Sequence, residues 1–227
     1  MNQMQAFKNY LKALLNSFLE SNCPLCERPS SNLLCKYCTR QLDKCAIPEP
    51  SSLWQKPVPV FAWGRYGGVL KRAIATMKYN DHPEIAILLG QLLGEAWLLN
   101  TPSPEYKPIL VPIPLHPYKQ KQRGFNQAAL IAKGFCEITG LKVKAKGLKR
   151  VRETEAQHSL SSSDRSENLA EAFSIGQDLY KPPRQPVLLV DDIYTTGATA
   201  KSAIQTLRNS QISVLGIAAC AAALKTS

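Results

Sequence analysis

The sequence predicts an α/β protein in which a mostly parallel sheet carries helices on both faces, preceded by a small four-cysteine module. Three observations carry that expectation. From Val58 onward, short apolar runs alternate with apolar stripes at helical spacing; VLLV at 187–190 is a continuous apolar run; and two Cys-x-x-Cys pairs stand ahead of both. Alternating strand and helix patterns imply parallel strands joined by crossover helices, and such sheets bind ligands at the carboxyl ends of their strands.

Taken in order, Phe7, Leu11, Leu14, Leu15 and Phe18 recur at helical spacing and predict a docking helix. A helix lying on a membrane would need a denser basic face. IPEPSSLWQKPVP is rich in Pro and Ser and predicts a linker, which places the helix and cysteine module at 1–45, the linker at 46–57 and the main domain at 58–227. VPVFAW predicts a strand, Leu70, Ile74 and Met77 a helix after YGG, and Pro83 the first turn of a helix carrying Ile85, Leu88, Leu92 and Trp97. ILVPIP predicts a short buried strand. It is followed by a polar loop and by a helix from about Asn126, with Leu130, Ile131, Phe135 and Ile138, that stops at Gly140. LKVKA alternates like an edge strand, and Asp164 is placed to cap a short helix toward Ala172. PVLLV predicts a strand, Ala203, Ile204 and Leu207 a helix, and ISVLGIAAC a returning strand.

Composition narrows the class. The 227 residues are 44% hydrophobic and 20% charged, which excludes wholesale disorder and fibrous repeats. No apolar run approaches the ~18 residues a membrane-spanning helix requires, and no signal-peptide pattern opens the chain. The expectation is therefore a soluble cytoplasmic protein with no membrane insertion. The formal charge of +11 is unevenly spread, since Lys107 to Arg152 holds eleven basic residues against one acid, Glu137. Such a segment attracts phosphorylated small molecules or nucleic acid, unless it is only a solvated face.

Of seven cysteines, Cys23, Cys26, Cys35 and Cys38 form CPLC and CKYC, while Cys45, Cys136 and Cys220 are scattered. An odd total argues against a closed disulfide framework. Doubled Cys-x-x-Cys turns bring four thiolates around one tetrahedral ion, and zinc is the natural occupant; a redox pair or two disulfides are the competing readings. Four sulfur ligands leave no open position for a catalytic water, so the zinc would be structural.

The densest chemistry lies in VLLVDDIYTTGATA, residues 187–200. An apolar strand delivers Asp191 and Asp192, then a Thr/Gly-rich turn opens a helix. Backbone amides of Thr196, Gly197 and Ala198, with hydroxyls of Thr195, Thr196 and Thr199, suit a phosphate at a helix N-terminus. The carboxylates suit vicinal ribose hydroxyls, directly or through Mg²⁺ and its waters. Neither a Walker A loop nor a G-x-G-x-x-G fingerprint is present. His82, His116 and His158 show no ligand spacing.

This stretch resembles the phosphoribosyl-pyrophosphate (PRPP) loop of type I phosphoribosyltransferases. With CPLC…CKYC, KYN, VPIPLHPYKQKQRGFNQA and RETEAQHSLSSSDRSENLAEAF in order, the chain from about Cys23 to Leu224 is similar to the ComF family. The resemblance implies a type I phosphoribosyltransferase-like fold with a zinc knuckle, in a family linked to natural transformation. By position, Asp191 and Asp192 would hold ribose hydroxyls and Thr195 to Thr199 the 5-phosphate. VPIPL would face pyrophosphate, and KQKQRGFNQ would be a mobile loop whose Lys119, Lys121 and Arg123 neutralise the leaving group, with Lys78 a further ligand. Expected partners are PRPP or a related ribose 5-phosphate, single-stranded DNA and other competence proteins. Tyr118, Phe125, Tyr79 and Trp63 are candidate stacking aromatics. The alternative is an active Mg²⁺-dependent phosphoribosyltransferase on an unidentified nucleophile. Purine-salvage members resemble one another in carrying an Asp where this chain has Thr195, so a hypoxanthine or adenine enzyme is not expected.

Overall fold

A computed structural model describes residues 21–55, 57–101, 105, 107–151 and 172–223. The expected N-terminal helix, the helix toward Ala172 and His158 lie outside the described residues. The chain divides into two units, 1–44 and 45–227.

In the first unit, β1 (Ser21–Asn22) pairs antiparallel with β2 (Pro29–Ser30), and α1 (Lys36–Asp43) follows. The turn between the strands passes through Glu27 at φ 62, a left-handed position that lets Cys23 and Cys26 share one side of a tight knuckle. Leu25, Leu34 and Leu42 supply its buried aliphatic side chains.

The second unit is built on a five-stranded sheet. Its strands are β3 (Val60–Arg65), β4 (Ile109–Pro112), β5 (Lys142–Val143), β8 (Val187–Tyr194) and β9 (Val214–Ala222), in the order β3-β9-β8-β4-β5. Every pairing is parallel, as the strand and helix alternation requires. The helices are α2 (Gly68–Tyr79), α3 (Glu84–Asn100), α4 (Pro117–Arg123), α5 (Gln127–Thr139) and α6 (Ala198–Asn209). On one face, Val60, Val111, Val187, Leu189 and Ile217 pack with Ala203, Ile204 and Leu207 of α6. The opposite face holds Phe61, whose ring meets Trp97 of α3 edge-on at 4.9 Å, with Trp97 in turn against Phe135 of α5 at 6.0 Å. Both faces are thus covered, which is why Val187–Val190 of β8 and the length of β9 read as apolar runs.

Several local expectations are corrected. The buried stripe of α3 is Ile85, Ala86, Leu89, Gly90, Leu93, Gly94 and Trp97, and the predicted Leu88 and Leu92 are only half buried. Glycine decides that face: a Cβ on Gly90 would collide with the Ile131 carbonyl, and one on Gly134 with the Ile87 carbonyl, so α3 and α5 touch backbone to backbone. The polar loop expected after β4 is the helix α4, with Pro117 in its first turn and Gly124 at φ 82 ending it. Trp63 is buried in β3 and cannot stack a base. Within the stretch rich in Pro and Ser, Ile47 N–H donates to the Trp63 carbonyl and the Trp54 ring lies 5.9 Å from Trp97, so both residues contact the domain. A two-stranded antiparallel ladder of β6 (Leu148–Arg150) and β7 (Phe173–Ile175), absent from the sequence reading, lies beside the sheet-face core through Leu148 and Phe173.

Candidate functional site

Strand β8 runs past both acids to Tyr194 instead of ending at them. Its two-residue alternation puts Asp191 on the face of Val187 and Leu189, shared with α6, and Asp192 on the face of Leu188 and Val190. The two carboxylates therefore sit in different surroundings. Asp192 is 5% exposed and pairs through Oδ2 with Lys78 Nζ from the last turn of α2; among the described residues that oxygen makes no hydrogen bond beyond the ion pair. Its Oδ1 accepts from Ile193 N–H at 3.0 Å. Asp191 is half buried and accepts from Asp192 N–H at 2.8 Å. Burial first, and then the Asp192 charge beside it, push the Asp191 carboxyl well above the usual carboxylate range. Below them, the buried Cys220 thiol is raised by burial and then by both aspartates, so it stays an inert thiol.

The turn that follows is shaped by Gly197, which caps α6 at φ 75, where an L side chain is strained. A Cβ there would also strike the Tyr194 ring, 2.8 Å from Cζ. Ala198 N–H makes only a long 3.4 Å bond to Thr196 Oγ1, and the first helical bond runs from Lys201 N–H to the Gly197 carbonyl. The first amides of an α-helix have no intrahelical carbonyl to reach, and that of Ala198 is held only by this long bond, as an anion site requires. Thr195 and Thr196 are exposed, and Ala198 and Thr199 half buried.

At the end of neighbouring β4, α4 presents Lys119 and Lys121 on its exposed surface. Arg123 is held differently. Its guanidinium donates to Gln127 Oε1 at 2.5 Å and lies 5.7 Å from the Tyr79 ring centroid, one residue beyond Lys78. Asn126 locks this corner, accepting from Ala128 N–H at 3.0 Å and donating to the Ile113 carbonyl at 3.1 Å. His116 Nδ1, at the start of α4, is buried with no hydrogen-bond partner among the described residues. Sequence reasoning set the start of α5 at Asn126 but missed its bond to the Ile113 carbonyl, and it missed Tyr194, which packs against the sheet-face core beside α6.

The sulfurs of Cys23, Cys26, Cys35 and Cys38 all lie within 4.8 Å of one another. An N–H from Cys38, outweighing burial, lowers the Cys35 thiol to about 7, whereas burial and the neighbouring sulfurs raise Cys38 to about 12. Clustered thiols of which one already ionises near neutrality fit a tetrahedral, soft-ligand ion of the zinc type, and the four-cysteine cluster is compatible with structural zinc.

A covered parallel sheet and a four-cysteine module, with an acid-rich strand end leading into a threonine turn, define an α/β protein with a candidate anion site at the end of its sheet. The chain is 32% identical over 200 residues to competence protein F of Haemophilus influenzae, covering 86% of this chain and 84% of that one. It is 32% identical over 189 residues to the DNA utilization protein YhgH of Escherichia coli, covering 82% and 77%. Against the competence protein ComFC of Bacillus subtilis it is 27% identical over 193 residues, covering 82% and 70%. The protein belongs to the ComF family of competence proteins. No family model matches the chain. Solved structures similar to it include the adenine phosphoribosyltransferase of Leishmania tarentolae, at a TM-score of 0.38 and 19% identity over 63% of this chain and 59% of that one. Among the described residues, no helix is long and apolar enough to cross a membrane.

Proposed function

We propose that the protein binds PRPP, or a related ribose 5-phosphate, and acts with single-stranded DNA in natural transformation. The observation that carries this reading is the turn at Thr195–Thr199. It follows the end of β8 at Tyr194, with Asp191 three residues earlier than Tyr194 on the sheet face shared with α6, and Gly197 at φ 75 opens the backbone to an anion. Thr195, Thr196 and Thr199 hydroxyls with the amides around Gly197 and Ala198 take the 5-phosphate. Asp191 accepts ribose hydroxyls, and Asp192, fixed by Lys78, holds the strand end and the lysine in place. Lys119 and Arg123 face the pyrophosphate end of the ligand, with Mg²⁺ carried by the pyrophosphate supplying charge neutralisation when bound. The adjacent carboxylates suit such an ion: a cation or a pair of hydroxyls relieves the like charge and burial that raise Asp191. The names of the relatives, competence protein F and DNA utilization protein, support the DNA half of the reading.

The test pairs two assays. Purified zinc-loaded protein is given PRPP and Mg²⁺ with a panel of bases and amines, and pyrophosphate is followed. Saturable PRPP binding without release supports a sensor; steady release lost in Asp192→Asn shows the transferase instead. Single-strand affinity falling steeply with salt supports the DNA role, and no affinity at low salt removes it.

A further inference from the structure

The second unit carries a basic and aromatic surface away from the threonine turn, at the β5 edge of the sheet. The chain leaves β5, turns over four residues, and enters β6. Lys144 N–H donates to the Leu110 carbonyl, and Gly147 N–H to the Lys144 carbonyl. The segment after β7 is tied against that turn. Gly176 N–H donates to the Gly147 carbonyl, and Lys146 N–H donates to Asp178 Oδ2 at 2.9 Å. A Cβ on Gly176 would collide with the Lys146 carbonyl, so the two backbones are in direct contact. Residues 142–150 and 176–184 are thereby joined, and they carry Lys142, Lys144, Lys146, Lys149, Lys181 and Arg184 with Asp178 their single acid, while the Arg150 guanidinium is turned onto the Phe173 ring.

The second of these segments also carries Tyr180. The ring is 69% exposed, far more than a tyrosine with a packing role shows. Lys149 Nζ lies 3.4 Å from its hydroxyl and 5.8 Å from the ring centroid. An exposed ring with a cation at its edge, set among further cations on a rigid two-strand frame, is the arrangement that stacks an unpaired base while lysines contact the flanking phosphates. Duplex DNA hides its base faces and would leave Tyr180 unused. An anionic membrane would use the charges but asks for a broad amphipathic apolar face, and Tyr180 with the exposed Val143 and Val151 is a small one among seven charged side chains.

We propose that the β6–β7 ladder with the Tyr180 segment is a single-stranded nucleic-acid docking surface, with Tyr180 the stacking platform and Lys149, Lys146 and Lys142 its phosphate contacts. β4 lies between β5 and β8 in the sheet, and the ladder meets α6 in that helix's C-terminal half, where the Thr206 hydroxyl donates to the Phe173 carbonyl, so the surface stands apart from the turn at the helix N-terminus. This inference rests on the single-strand half of the proposed function and is independent of the PRPP half.

The experiment measures anisotropy of a fluorescent oligothymidylate over a salt series, with the full-length protein, its Tyr180→Ala, Tyr180→Phe and Lys146→Ala/Lys149→Ala variants, and a Lys119→Ala/Lys121→Ala variant. PRPP calorimetry on the same preparations reports the other site and the integrity of the fold. Tyr180→Ala is expected to weaken strand binding about tenfold and Tyr180→Phe to keep it, because stacking needs the ring and not the hydroxyl. Losing two lysines should lower the slope of log affinity against log salt by about 1.4. PRPP binding should be unchanged in the Tyr180 and Lys146/Lys149 variants. Strand binding of normal affinity and slope in the Tyr180→Ala and Lys146→Ala/Lys149→Ala proteins overturns the surface. Loss confined to Lys119→Ala/Lys121→Ala does the same while sparing the functional reading. No strand binding by the unaltered protein overturns both, and so does binding to phosphatidylserine vesicles in place of the strand.

Discussion

The two units of this chain reach order by different means. The α/β unit buries apolar residues on both faces of its sheet, and the Phe61, Trp97 and Phe135 rings join strand to helices. Among its described residues the cysteine unit has little beyond Leu25, Leu34 and Leu42 to bury, and depends on four sulfurs held within 4.8 Å. A domain too small for a core needs a staple, and a larger one can spend its polar residues on a site.

The sharpest way to break this comparison is to remove metal. A structural ion contributes on the order of 10 kcal/mol to a small thiolate module. Chelation should therefore unfold residues 21–44, with loss of about one zinc per chain. All three tryptophans, Trp54, Trp63 and Trp97, lie in the other unit. Their fluorescence and its melting transition should persist, and a tryptophan transition that vanishes on chelation contradicts the separation. Next in size is Lys78→Ala, which leaves Asp192 buried and unpaired and should cost about 3 kcal/mol in a urea melt. Gly134→Ala follows: better helix propensity is outweighed by collision with the Ile87 carbonyl, for a net loss of about 2 kcal/mol.

The smallest effect has the opposite sign. Asp191 has a folded-state pKa raised above its unfolded value, so the native state binds the extra proton and stability falls as pH climbs from the ordinary carboxylate range toward the raised value. Asp191→Asn should consequently raise the melting temperature at neutral pH by a few degrees, while abolishing PRPP binding. The gain should shrink below about pH 4, where the wild-type carboxyl is protonated in both states. A gain that is equal at both pH values would mean that burial and like charge are not its cause.

What the sequence made legible, and what it did not, follows the range of the interactions. The turn at Thr195–Thr199, the helix stop at Gly140 and the paired cysteines are local, because each depends on residues a few positions apart. Strand and helix alternation likewise yielded the parallel sheet. The pairing of Lys78 with Asp192 joins residues far apart in the chain, and no spacing announces it. Helix α4 escaped because PYKQKQR has no apolar face, leaving only Pro117 and Gly124 as punctuation. The face of α3 was misjudged because its contact is made by glycines, which periodicity of large residues does not register. The β6–β7 ladder pairs three-residue strands across a long intervening segment, too little pattern to see in sequence.

The central claim is tested most directly by calorimetric titration of the zinc-loaded protein with PRPP and Mg²⁺, run beside Gly197→Val. The account predicts saturable one-to-one binding that Gly197→Val eliminates, since its side chain meets the Tyr194 ring in a left-handed backbone position. Absence of binding by the wild-type protein, or unaltered binding by the folded variant, would contradict it.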